Sequence, residues 1–274
     1  MRFGVYAPTS GEYDVSTLVE LARAAERSGW DGMFVWDNIL STFDDSGHLD
    51  DSTVALTAIV LATERIHCGP IVTPLTRRRP WKVAKEMATL DRLSGGRLIL
   101  GVGLGGTWDF APFAEAPPGR DRGELLDEAL AVLTACWTGE DVNHRGRHFT
   151  VEGARMRPVP VQRPRIPIWT AGYWPGTAPF RRAAAWDGVA PLRKGRIFEG
   201  LTPEELAACL RYVRRYRGED RRLDAVYFHT RAGDGARVDE YAAAGATWWL
   251  ESTNPATETL RDFQARVHAG PPRR

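Results

Sequence analysis

The residues of this chain best suited to chemistry stand where short apolar runs end. Trp36-Asp37-Asn38 closes one such run and sets an indole, a carboxylate and an amide side by side. Tyr6-Ala7-Pro8 closes another, and Val72-Thr73-Pro74 a third, leading into Arg77-Arg78-Arg79. A glycine-dense loop, Gly103 to Thr107, follows the run Leu98 to Val102 and brings bare N–H groups to its end; Trp108, Asp109 and Phe110 come next. A later run ends Thr170-Ala171-Gly172-Tyr173-Trp174. Unblocked amides, and a helix beginning after Gly172, favour a phosphate. Nothing in this set forms a hydrolase constellation.

Plainer readings stand beside these. Asp37 equally well caps the next segment or pairs with an arginine, and Asn38 suits an ordinary turn. The Arg77–Arg79 run reads as a solvated face or a subunit contact, the alternative being that one of them holds an anion near a helix N-terminus. Trp248 and Trp249 point to opposite faces of a strand, so at most one enters a pocket. His67 opens a strand and reads as structural. His144 and His148 share a hairpin without a third ligand, and no metal is expected. Gly101, Gly103 and Gly106 spell the dinucleotide fingerprint, but Thr107 to Gly119 is aromatic and proline-rich, the next helix is predicted only near Gly123, and three β/α units precede the loop, so an NAD site is disfavoured.

The elements that must position these residues alternate. Strands are predicted at Phe3–Ala7, Gly32–Asp37, His67–Val72, Leu98–Val102, Ile168–Thr170, Gly188–Pro191, Ala225–His229 and Thr247–Glu251. Helices are predicted at about 18–28, behind a Thr17–Glu20 capping box, at 52–63, from Pro80, and at 123–137 behind an Asp121–Glu124 box. Further helices are predicted at 178–185, from the Thr202-Pro203-Glu204-Glu205 cap to about 217, at 238–244 and at 257–268. Between the fourth helix and the fifth strand, Val142–His144 and His148–Val151 predict a surface hairpin. Eight strands and eight helices in order predict an α/β fold, a (β/α)8 barrel over 1–274, with the loops after each strand forming one rim.

Composition narrows the partners. The chain has 274 residues, 43% apolar, with 36 Lys and Arg against 35 Asp and Glu. That balance offers no global field for nucleic acid or a membrane surface. No apolar run approaches the ~20 residues of a membrane span, and no signal peptide is read at the N-terminus, so a cytoplasmic protein is expected. Cys68, Cys136 and Cys209 are odd in number and read as free buried thiols.

With those residues in hand, the chain resembles the luciferase-like monooxygenase superfamily along nearly its whole length. The resemblance rests on Trp30 to Asn38, Ala62 to Ile66, Leu90 to Gly105 and Pro158 to Gly172. It implies a TIM barrel binding coenzyme F420 or FMN in its mouth, and a homodimer. Asp37 and Asn38 would lie beside the ring as the catalytic pair; many members have histidine in place of Asn38, which cannot usefully titrate. Tyr6, Thr73, Gly105, Gly106, Thr107, Ala171 and Gly172 would contact the cofactor, and a cis peptide is expected near Thr73. Trp108, Phe110 and Trp174 would wall a small organic substrate. F420-dependent hydride transfer is the expected activity. The alternatives are an FMNH2-dependent monooxygenase fed by a separate reductase and a non-catalytic flavin-binding protein.

Overall fold

The computed structural model describes residues 1–41, 48–115, 119–196, 199–218, 221–228, 230 and 233–272. The first half contains β1 (Arg2–Ala7), α1 (Val15–Arg27), β2 (Gly32–Val35), α2 (Ser52–Ala62), β3 (His67–Pro70), β4 (Thr73–Pro74) and α3 (Pro80–Leu93). Then come β5 (Leu100–Gly103), α4 (Thr107–Phe110), α5 (Gly119–Thr138), β6 (Asp141–Arg145) and β7 (Thr150–Arg155). The last part holds β8 (Ile168–Trp174), α6 (Ala178–Ala183), β9 (Gly188–Arg193), α7 (Pro203–Arg217), β10 (Asp224–Tyr227), α8 (Val238–Ala243), β11 (Trp248–Ser252) and α9 (Leu260–Ala269).

Nine strands form one parallel sheet in the order β3-β2-β1-β11-β10-β9-β8-β5-β4. β3 and β4 are two pieces of one stave, separated at Ile71–Val72, whose peptide is cis. β4 pairs with β5, and Cys68 of β3 bridges Leu98 just before β5, so the ring closes. Glycine makes that seam possible: a side chain at Gly69 would strike the Ile99 backbone, and one at Gly101 the Pro70 carbonyl. The eight-stave α/β barrel expected from the alternation is therefore present. β6 and β7 pair antiparallel outside the barrel.

Local chemistry explains most boundaries. Asp51 caps α2 by accepting from Thr53 and Val54 N–H at 2.9 and 3.0 Å. Pro80 opens α3, and Thr202 with Glu205 forms the expected capping box of α7. Other boundaries differ from expectation. Asp14, not Thr17, caps α1, accepting from the Thr17 N–H at 2.8 Å. α5 begins at Gly119, so Asp121 and Glu124 lie inside the helix and cap nothing; Glu124 instead pairs with Arg147 of the hairpin at 2.6 Å. The strand predicted through Val72 stops at Pro70, and that predicted from Leu98 begins at Leu100. β8 runs four residues past the predicted Thr170, and His229 lies outside the described residues. The three cysteines are buried and free. His144 Nε2 donates to the Glu128 carboxylate at 3.0 Å, and Glu128 also accepts from His148 and Phe149 N–H, fastening the hairpin to α5.

Candidate active site

Alternate side chains of the parallel strands face the barrel interior. Near the N-terminal ends, Phe34, Trp169 and Trp248 meet tilted or edge to face with ring centroids 5.3–5.6 Å apart, and all three are fully buried. Trp248 is therefore the inward member of its pair, while Trp249 packs in the helical layer. Toward the C-terminal ends, Tyr6 meets Trp36 at 5.8 Å and Phe228 at 5.6 Å, with Ile71, Val72, Ala171 and Leu192 beside them. These side chains floor a mouth at the end where barrel enzymes carry their sites.

Tyr6 donates its hydroxyl to the Ile71 carbonyl at 2.7 Å, and burial pushes its pKa far above the ordinary tyrosine value. It stays neutral and keeps the floor apolar. Asp37 accepts from the Thr73 hydroxyl at 2.8 Å and lies 3.6 Å from Arg78. Burial raises its pKa, with Thr73, Arg78 and Ser52 pulling the other way. The pair thus fastens the end of β2 to β4, and the Thr73 hydroxyl is spent on that contact. Asn38, next along, is half-buried, and its amide has no hydrogen-bond partner among the described residues.

Of the arginine run, Arg79 is exposed, as a solvated face would have it, whereas Arg77 and Arg78 are engaged by carboxylates. Arg77 is buried, paired with Asp109 at 2.7 Å and with Glu115 at 3.4 Å; Arg78 pairs with Glu86 at 2.5 Å. Asp109 is itself buried and accepts from the Ile39 and Leu40 N–H groups at 3.1 and 2.9 Å. This clamp joins the loop after β2 to that after β5. Its sequence signal was an acid between two aromatics, Trp108-Asp109-Phe110, facing an arginine run.

The residues expected to wall a substrate separate. Trp108 is 38% exposed on the rim, over Gly106, where an added side chain would meet its indole. Phe110 is buried, with the Arg77 guanidinium 4.0 Å from its ring centre. Trp174 stands on the outer face of β8 against Phe180 and Tyr212. Tyr173 shares the inward face with Trp169 and Ala171, and it takes the mouth position. The glycines are equally mixed. Gly105 (φ +73°) leaves room for Phe110 and Pro74, and Gly172 leaves room for Pro179, so both are needed by protein neighbours. The loop nevertheless offers N–H groups: those of Gly105 and Gly106 donate to no group among the described residues.

A closed parallel barrel with an apolar mouth and a glycine loop at its C-terminal end defines an α/β-barrel protein with a candidate site at that end. Residues 1–195 match the luciferase-like monooxygenase family, and the chain belongs to it. Among curated relatives it is similar to an F420-dependent glucose-6-phosphate dehydrogenase of Microbacterium testaceum, 31% identical over 174 residues, 63% of this chain and 52% of that one. The chain thus spans about half the length of the curated relatives it matches. Among solved structures it is similar to a coenzyme F420-dependent tetrahydromethanopterin reductase from Methanopyrus kandleri (TM-score 0.78, 15% identity, 98% of both chains). It is also similar to an F420-dependent secondary alcohol dehydrogenase solved with an F420-acetone adduct (TM-score 0.79, 17% identity, 96% of both chains). At these identities the structures show the fold. Among the described residues, no helix is long and apolar enough to cross a membrane.

Proposed function

We propose that this chain is a coenzyme F420-dependent oxidoreductase that transfers a hydride to or from a small organic substrate. The curated relatives named for F420 support this reading, and the observation that carries it is the composition of the mouth. Tyr6, Trp36, Val72 and Ala171 make an apolar floor suited to a flat ring. At its edge the Asn38 amide and the Gly105 and Gly106 N–H groups have no partner among the described residues, as a ring with a polar edge and a phosphate tail requires. The residues present fit such a cofactor.

When bound, the deazaflavin ring supplies the carbon that accepts or gives hydride. The chain's own residues bind and orient. Asn38 hydrogen-bonds the polar edge of the ring or a substrate oxygen and exchanges no proton. Asp37, held by Thr73, fixes the backbone that carries Asn38. Trp108 and Tyr173 cover the mouth and exclude water. With Ile39, they leave a partly exposed apolar rim that favours an apolar face on the substrate.

The test is parallel titration of the protein with coenzyme F420 and with FMN, followed by fluorescence quenching. Micromolar or tighter binding of F420 alone supports hydride transfer. Selective FMN binding, with oxygen uptake coupled to substrate turnover, replaces it with an oxygenase served by a separate reductase. Binding without turnover favours a flavin-binding protein. Homodimerisation belongs to the same reading: α2 is apolar on every side, leaving Val54 and Leu61 60% and 69% exposed, a surface a second copy would cover. Sedimentation should give a dimer that Leu61→Glu dissociates; a wild-type monomer refutes it.

A further inference from the structure

When a carbonyl carbon receives hydride, its π pair moves onto oxygen, and that oxygen then needs a proton. Few side chains around the mouth are free to give one. The Tyr6 hydroxyl already donates to the Ile71 carbonyl. Ser252, on the same face of β11 as Trp248 and Leu250, donates its hydroxyl to the Leu250 carbonyl at 3.0 Å. The Asp37 carboxylate is held by Thr73 and Arg78. Asn38 has no proton to exchange.

Tyr173 differs from all of these. It follows Trp169 and Ala171 on the inward face of β8, opposite Leu192 of β9, and lies close enough to Tyr6 to influence its ionisation. Its hydroxyl has no hydrogen-bond partner among the described residues. The residue is 44% exposed, so it is reached both from the mouth and from water. A tyrosine with the ordinary value of 10.0 is neutral at pH 7, and partial burial pushes this one higher. The phenol therefore keeps its proton until an acceptor arrives, which makes it a donor and not a base.

We propose that Tyr173 is a catalytic acid of this site, giving its hydroxyl proton to the oxygen of an aldehyde or ketone as the carbonyl carbon takes hydride. The inference rests on the reading of the chain as an F420-dependent oxidoreductase, and it selects the direction that reading leaves open. The C=O π bond breaks, a C–H bond forms with the hydride of the reduced cofactor, and an O–H bond forms with the phenolic proton. The carbonyl compound is reduced to an alcohol and the cofactor is oxidised. The phenolate recovers its proton from water at its exposed side.

The experiment uses acetone, acetophenone and benzaldehyde as probes on wild type, Tyr173→Phe and Tyr173→Ala. Tyr173→Phe keeps the ring that covers the mouth and removes only the donor. With oxidised F420 bound, so that nothing turns over, the infrared carbonyl stretch of a bound probe should move to lower frequency in wild type. In Tyr173→Phe it should return to the unbound value. With reduced F420, the single-turnover rate in Tyr173→Phe should fall about 100-fold, with F420 affinity and melting temperature unchanged. Tyr173→Ala should also raise KM for the probe, because the cover is lost. A Tyr173→Phe rate within about threefold of wild type overturns the proposal. So does an unshifted carbonyl stretch in wild type, or a wild type that binds reduced F420 and reduces none of the probes. If wild type binds no F420, the functional reading itself fails, and the proposal falls with it.

Discussion

The two ends of the barrel use the same residue types to opposite effect. At the N-terminal end, Phe34, Trp169 and Trp248 close on one another until no solvent reaches them. At the C-terminal end, Tyr6 and Trp36 are just as aromatic, but the mouth they floor is edged by the Asn38 amide and by Gly105 and Gly106 N–H groups that lack partners among the described residues. The lower layer is closed by packing and leaves the Trp248 indole N–H buried without an acceptor. The upper one leaves the Asn38 amide and the Gly105 and Gly106 N–H groups partly exposed and without partners among the described residues, within reach of a ligand. Stability should therefore reside below and binding above, and mutations can separate them.

The largest effect is expected at the bottom. Trp169→Ala should destabilise the protein by about 3–5 kcal/mol, because a fully buried indole leaves a cavity that its neighbours cannot fill; urea unfolding measures it, and a loss under ~1 kcal/mol would show that the plug is not part of the core. Asp109→Ala follows at about 3 kcal/mol, since it strands the buried Arg77. Here the same unfolding curve is read beside F420 affinity, which should fall as the two loops part. At the mouth, Asn38→Ala should weaken F420 about tenfold, ~1.4 kcal/mol, with melting unchanged; equal affinity would remove Asn38 from the site. A paired test is smaller but sharper. Tyr173→Ala should alter ligand affinity and not stability, and Trp174→Ala the reverse, as follows from the faces of β8 they occupy.

The smallest effect concerns pH. Burial holds the Asp37 carboxyl above its ordinary value of 3.8, so its ionisation opposes folding. The stability it contributes when protonated is present below the unfolded pKa and is lost as pH rises through the higher folded one. Asp37→Asn should accordingly gain on wild type as pH rises from below 3.8 toward neutrality, by thermal melting at each pH. A constant difference would mean that the carboxyl is not destabilised.

The order of elements was legible because each parallel strand is buried on both faces and reads as an apolar run, and because helix caps are local chemistry. Residue facing was less so. Reading the fifth stave as ending at Thr170 left Tyr173 and Trp174 in a loop, where alternation says nothing; once β8 extends to Trp174, parity puts Tyr173 in the mouth. Asp109 depends on segments far apart in the chain, the loop after β2 and the arginine run.

The Asp109 carboxylate, gripping Ile39, Leu40 and Arg77 together, also has a kinetic consequence. Asn38 and Trp108 each neighbour a residue held at that point, so the carboxylate fixes the spacing between the two. A ligand that touches Asn38 on one loop therefore meets Trp108 on the other at a separation the carboxylate sets, so loosening Asp109 should raise the rate at which a bound ligand leaves.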